Sequence, residues 1–173
     1  MWETKFDFYK SAIESTDDYS HSAFRGLSRI LSTGEICTTR RNIRGNVDVV
    51  SFTEIPPNLA IFFMRWRKGL IRHYWEPYGI AVEREALYSI GARPVIYGDE
   101  NIYDLLDENN RYLFQPIKGN KYFWSDEREW RLRNNFEISR IPPEKILIIT
   151  RTNKEAQQIN SRFGFKSIGI VKK

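Results

Sequence analysis

Trp124-Ser125-Asp126-Glu127-Arg128-Glu129-Trp130-Arg131 is the stretch that decides the reading of this chain. Side chains alternate faces along a β-strand. If the tract from Tyr122 to Leu132 is a strand, or a strand pair, then Trp124, Asp126, Arg128, Trp130 and Leu132 share one side. Ser125, Glu127, Glu129, Arg131 and Arg133 share the other. The tryptophans place their own face against a core. The second face carries two carboxylates flanked by a hydroxyl and two guanidiniums. Two arrangements fit it: an exposed cross-strand ladder of ion pairs, worth little per pair, or the wall of a site. As a wall, neighbouring carboxylates repel unless one is protonated or an arginine neutralises it. Such a pair suits holding sugar hydroxyls and stabilising a cationic, oxocarbenium-like transition state.

Working outward, residues 17 to 34 repeat Ala23, Leu27, Ile30 and Leu31 at helical spacing, with Asp17, Asp18 and Ser20 to cap the start and Gly34 to end it. Ile36 to Thr39 suits a short strand. The β-branched and aromatic run from Val47 to Thr53 marks another, ended by Pro56-Pro57. Asn58 to Lys68 is expected to be helical, with Leu59, Phe62, Phe63 and Trp66 on its apolar side. Tyr78 to Val82 reads as a buried strand, Glu83 to Tyr88 as a short helix, and Arg93 to Tyr97 as a strand ended by Gly98-Asp99. A helical turn or two follows from Asn101 to Glu108. The tail reads as strand, helix, strand: Ile146 to Thr150, Asn153 to Arg162, Phe165 to Val171. Helices and strands interleave irregularly, with neither repeat nor linker. This predicts one α+β domain over residues 1–173, with mixed or antiparallel sheets and flanking helices.

The chain has 173 residues, of which 41% are hydrophobic, enough for a packed core. Its longest apolar run, Leu59 to Met64, is too short to cross a bilayer, so no membrane partner is expected. The first residues lack both the basic start and the apolar stretch of a secretory signal. The single cysteine, Cys37, leaves no internal disulfide. A cytoplasmic location is the expectation. Two histidines, His21 and His73, lie far apart and are too few for a structural zinc site, so no metal is expected. Phosphate-binding glycine loops and the nucleophile elbow of serine hydrolases are absent.

A net charge of +5 permits an anionic partner without demanding one. Two basic clusters carry most of it: Arg40, Arg41 and Arg44, and Arg65-Trp66-Arg67 with Lys68 and Arg72. Either could meet nucleic acid or a protein partner, with Trp66 stacking on a base; either could equally be a solvated face, with Trp66 in the core. Two further candidates are Ser51 and Thr53, which share a strand face opposite Phe52, and Arg93. Placed at a strand start ahead of Tyr97, Arg93 could reach a phosphate or carboxylate, or pair with Asp99 or Glu100.

Taken in order, Arg29-Ile30-Leu31-Ser32-Thr33-Gly34-Glu35-Ile36, Val50-Ser51-Phe52-Thr53-Glu54-Ile55-Pro56, Tyr78-Gly79-Ile80-Ala81-Val82, Gly91-Ala92-Arg93-Pro94-Val95-Ile96-Tyr97 and the opening tract resemble the AbiGi family of abortive-infection (phage-resistance) proteins. The resemblance spans roughly residues 27 to 150 and is most specific in the last two segments. The chain is more loosely similar to ADP-ribosyltransferases of the Arg–Ser–Glu type, through Ser51-Phe52-Thr53 and Glu127-Arg128-Glu129. That similarity implies an ADP-ribosyltransferase-like fold and NAD as the bound nucleotide. Ser51 and Thr53 would shape the nicotinamide pocket, Glu129 would be the catalytic glutamate, and Glu127 would orient the acceptor. Arg93, Tyr97, Trp124 and Arg131 would complete the binding side. Those families begin with a strand bearing a histidine or arginine; here the nearest cation is Lys5, and Arg25 lies on the predicted helix. The departure admits a second implication, a catalytically silent antitoxin or sensor that binds a nucleotide or a protein. Nucleic-acid binding through the basic clusters is a third.

Overall fold

Leu27 and Leu31, one helical turn apart, are the buried positions of α1 (Ala23–Thr33). Gly34 takes the left-handed conformation (φ 74°), and its N–H bonds the Ile30 carbonyl at 2.8 Å. Only glycine enters that region without steric cost, which is why the helix stops there. The structure is a computed structural model that describes residues 23–40, 43–60, 66–67, 72–73, 75–117 and 127–170. The proposed caps Asp17, Asp18 and Ser20 lie outside those residues.

Along the chain follow β1 (Glu35–Ile36), β2 (Val49–Thr53), α2 (Pro57–Ala60), β3 (Trp66–Arg67), β4 (Arg72–His73) and β5 (Gly79–Val82). Then come α3 (Arg84–Ser89), β6 (Arg93–Pro94), β7 (Ile96–Gly98), α4 (Glu100–Leu105) and β8 (Phe114–Pro116). The last elements are β9 (Glu129–Arg133), β10 (Phe136–Glu137), β11 (Ile146–Thr150), α5 (Asn153–Phe163) and β12 (Ser167–Gly169). The α+β class read from the sequence is the class observed. One expected element is corrected: no single helix spans Asn58 to Lys68. Trp66 and Arg67 instead form a strand paired with His73 and Arg72. Leu59, on the expected apolar side, is exposed. Among the described residues, no helix is long and apolar enough to cross a membrane.

By its contacts the chain divides into two compact units. The first takes Met1–Gly34, Pro56–Val82 and Pro142–Lys173. Its centre is a mixed sheet in the order β12-β11-β5, parallel between β11 and β12 and antiparallel between β11 and β5. Ile146, Ile148 and Thr150 are buried on one face of β11, as period-two alternation requires. Thr152 and Glu155 close a capping box at the start of α5, satisfying two backbone donors reciprocally. Glu155 is itself buried and also accepts the Tyr78 hydroxyl at 3.0 Å.

The second unit, Glu35–Ile55 with Glu83–Ile141, contains the opening tract's described end. Its main sheet is antiparallel in the order β2-β9-β6; β1 pairs with β10 antiparallel, and β7 with β8 in parallel. The stretch read as one strand, Arg93 to Tyr97, serves two sheets, changing partner at Val95. Val49, Tyr112 and Leu113 form a buried cluster joined by Ile43, Val47 and Ile96. On the other face of β2, Phe52 meets Phe136 edge-to-face with ring centres 5.3 Å apart. Phe52 therefore packs opposite to Ser51 and Thr53, as alternation predicts.

Candidate functional site

The antiparallel register sets Ser51 opposite Arg131 and Thr53 opposite Glu129, so these four side chains belong to one face of the β2–β9 pair. Ser51 Oγ donates to Glu129 Oε1 at 2.7 Å. Arg131 Nε donates to the same oxygen at 2.9 Å and Nη2 to Oε2 at 3.1 Å, a two-pronged clamp along one strand. The rest of the guanidinium is as fully engaged. Nη1 donates to the carbonyls of Tyr112 and Phe114 at 2.7 and 3.1 Å, and Nη2 to Gln115 Oε1 at 2.7 Å. An arginine has five N–H donors, and all five are used here.

Burial decides between the two arrangements the sequence left open. The Arg131 side chain is 1% exposed and that of Glu129 15%. An exposed ladder is therefore the wrong description of this pair. Arg131 is a buried cation, tolerable only because a carboxylate and three carbonyl-type oxygens surround it. Glu129 keeps one edge toward solvent. A carboxylate offers about four acceptor positions. Ser51 and Arg131 occupy three of them, which leaves one on Oε2.

The backbone of Glu129 is bonded on both sides. Its N–H donates to the Tyr97 hydroxyl at 3.1 Å, and its carbonyl accepts from the Val95 N–H at 2.9 Å. Tyr97 is partly buried, and that burial pushes its phenol above the ordinary tyrosine range. The Thr53 hydroxyl donates to the Glu127 carbonyl and accepts from the Ile55 N–H at 3.2 Å.

Glu127 requires a correction. The strand begins at Glu129, and Glu127 lies in a 3₁₀ turn ahead of it. Between them Arg128 has a φ of 45°, in the left-handed region. For a residue with a Cβ this costs about 1–2 kcal/mol. It also breaks the alternation that would have put both glutamates on one face. The turn is held by the Thr53–Glu127 bond and by the Glu54 N–H donating to the Arg128 carbonyl at 3.0 Å.

Behind this turn, on the other face, Glu54 links two elements. It accepts from Arg84 at 2.8 Å and from the Trp130 indole N–H at 3.3 Å. The Arg84 bond, with help from Trp130, holds the Glu54 carboxyl below the usual carboxylate range.

The remaining candidates are placed as follows. Arg93 faces Arg131 across the β6–β9 pair, yet its guanidinium lies over the Tyr88 ring at 3.9 Å. It donates to the Tyr88 and Ala92 carbonyls at 2.9 and 2.8 Å, near the end of α3. It thus meets neither of the carboxylates, Asp99 and Glu100, considered as its partners. In the first basic cluster, Arg40 forms a two-pronged pair with Asp48, at 2.8 and 2.9 Å. Arg44 pairs with Glu100 and stacks on Tyr103 at 3.7 Å. These two arginines are internally matched, not a free cationic face. Lys5, Arg41, Arg65 and Trp124 lie outside the described residues, and Trp66 and Arg67 are placed in β3. Gln115 is the residue that sequence reasoning missed; a glutamine in a short, non-periodic tract gives no signal. Among the described residues no three of His, Cys, Asp and Glu gather as metal ligands would.

No protein-family profile, curated protein or solved structure matches the chain.

Proposed function

We propose that this chain is a cytoplasmic, ADP-ribosyltransferase-like protein of bacterial phage defence that cleaves NAD and transfers ADP-ribose to a macromolecule. The observation that carries the reading is the 2.7 Å hydrogen bond from Ser51 to Glu129, residues 78 apart in sequence. The similarity through Ser51-Phe52-Thr53 and Glu127-Arg128-Glu129 assigns both to one site. In this reaction the bond between the nicotinamide nitrogen and the ribose carbon breaks, and its electron pair leaves with nicotinamide. A nucleophile on the acceptor then bonds to that carbon and gives up its proton. Glu129 would accept a ribose hydroxyl at the open position on Oε2 and oppose the developing positive charge. Ser51 and Arg131 would hold the carboxylate in place for it. Glu127, in the turn ahead of the strand, is the group left to orient the acceptor.

The Arg131 clamp favours a second reading. A carboxylate already matched by a guanidinium has less field to offer an oxocarbenium ion. The same site would then bind ribose hydroxyls without cleaving, as an antitoxin or sensor module for a nucleotide or protein partner. Nucleic-acid binding through Arg40 and Arg44 has less support, because each has its own carboxylate.

Incubation of the full chain with adenine-labelled NAD, host RNA and cell lysate separates these readings. Nicotinamide release with label transfer, both lost in Glu129→Gln at a temperature where circular dichroism shows that variant folded, is the result expected of the enzyme. NAD binding without release would leave the binding module. Neither binding nor release would overturn both.

A further inference from the structure

Resting on the reading of the Glu129 site as a nucleotide site, we infer that Tyr97 and Gln115 are its specificity-determining donors, selecting an uncharged carbonyl oxygen, such as a carboxamide, over a carboxylate. Tyr97 in β7 and Gln115 in β8 are register partners in the parallel pair, so their side chains share a face. Gln115 bonds the ion pair itself, and Tyr97 bonds the backbone of its acidic member. Tyr97 accepts from the Glu129 N–H, and Gln115 accepts from Arg131.

Each is left with unused donors. A tyrosine hydroxyl that accepts an N–H still has its own proton to give. No acceptor for it exists among the described residues. The orientation of Gln115 is fixed by chemistry: arginine only donates, so the carboxamide oxygen must face Arg131 and the NH₂ must face away. That NH₂ likewise meets no acceptor among the described residues. Both residues are only partly buried, so a ligand can approach them.

Charge sets the selectivity. Both donors are neutral. Arg131, the cation bonded to Gln115, is matched by Glu129. A carboxylate placed on the same donors would give up its hydration for uncharged partners, whereas a carbonyl oxygen gives up far less.

The test is calorimetric titration of the full chain with NAD and with the analogue carrying a carboxylate in place of the nicotinamide carboxamide. Wild type should bind NAD more tightly by about tenfold, from one neutral hydrogen bond kept and one desolvation of a charge avoided. Tyr97→Phe removes one donor together with the acceptor of the Glu129 N–H, and Gln115→Glu keeps the acceptor for Arg131 while removing the NH₂. Each should weaken NAD binding about three- to tenfold. Tyr97→Phe should leave the acid analogue within about twofold of wild type, so that the preference collapses. A purely structural role would weaken both ligands alike, and an unchanged ratio in Tyr97→Phe, with unchanged circular dichroism, overturns the inference alone. Absence of NAD binding by wild type overturns it together with the reading beneath it.

Discussion

Replacing Glu129 with glutamine changes one atom in a buried polar cluster of the second unit. The amide nitrogen of glutamine can only donate, so it cannot accept from Arg131, and a charge that is 1% exposed loses its counter-ion. Removing one partner of a buried ion pair typically costs about 3–5 kcal/mol, against about 5–15 kcal/mol of total stability in ordinary domains. For a chain of this length that corresponds to a melting temperature lower by roughly 6–20 °C. The companion change Arg131→Met removes the other charge, and the double variant carries neither. Replacing both charges by groups of similar volume is often close to neutral, so the two changes should not add. Urea denaturation of wild type, both single variants and the double variant, followed by circular dichroism, gives the coupling energy. We expect at least about 2 kcal/mol. A Glu129→Gln variant within about 0.5 kcal/mol of wild type, or additive single effects, would refute the claim that the clamp is a buried, mutually dependent pair.

Three further outcomes follow from other sites. The Glu54 carboxyl titrates below its ordinary range, so its link to Arg84 and Trp130 is intact above the unfolded carboxylate range and is lost as pH falls through the lowered folded value. The Trp130 indole N–H resonance should move in that acid window and stand still in Glu54→Gln; a shift only at higher pH would contradict the assignment. Two glycines contrast. A Cβ on Gly169 would lie 2.3 Å from the backbone nitrogen of Asn153, whereas one on Gly98 would meet the end of the Ile102 side chain at 2.2 Å. Gly169→Ala should cost about 1–3 kcal/mol and Gly98→Ala less than about 1 kcal/mol in the same urea assay, and the reverse order would be inconsistent with this packing. Finally, Arg40→Gln and Arg44→Gln should leave the salt dependence of RNA retention unchanged. A slope reduced by about one unit per arginine would restore the nucleic-acid reading.

Elements with a strong local period could be read from the residues. Leu27 and Leu31 announce α1, Gly34 its end, and the Ile-rich run from Ile146 the central strand of the first unit. The Ser51–Thr53 face was equally plain, since alternation holds wherever the strand is regular. What could not be read depended on contacts distant in sequence or on backbone strain. Arg128 has no residue signature for a left-handed φ, so Glu127 seemed to belong on the Glu129 face. For Arg131 the sequence leaves an exposed ladder and a site wall both open, because arginines are mostly exposed and nothing local marks a buried one. Its burial follows from the Tyr112 to Gln115 segment, which no periodicity marks. Trp66 reads as helical because Phe62 and Phe63 precede it at helical spacing, and a short run of this kind fits either period.

Glu129 is bonded at its N–H, its carbonyl and both carboxylate oxygens before any ligand arrives. Freezing a flexible side chain on binding ordinarily costs about 0.5–1.5 kcal/mol, and here folding has already done the freezing. A hydroxyl docking on Oε2 therefore meets a rigid acceptor, and its association should be marked by little loss of protein entropy. The same rigidity prevents the carboxylate from swinging to follow a moving atom. Any reacting centre must travel to Glu129.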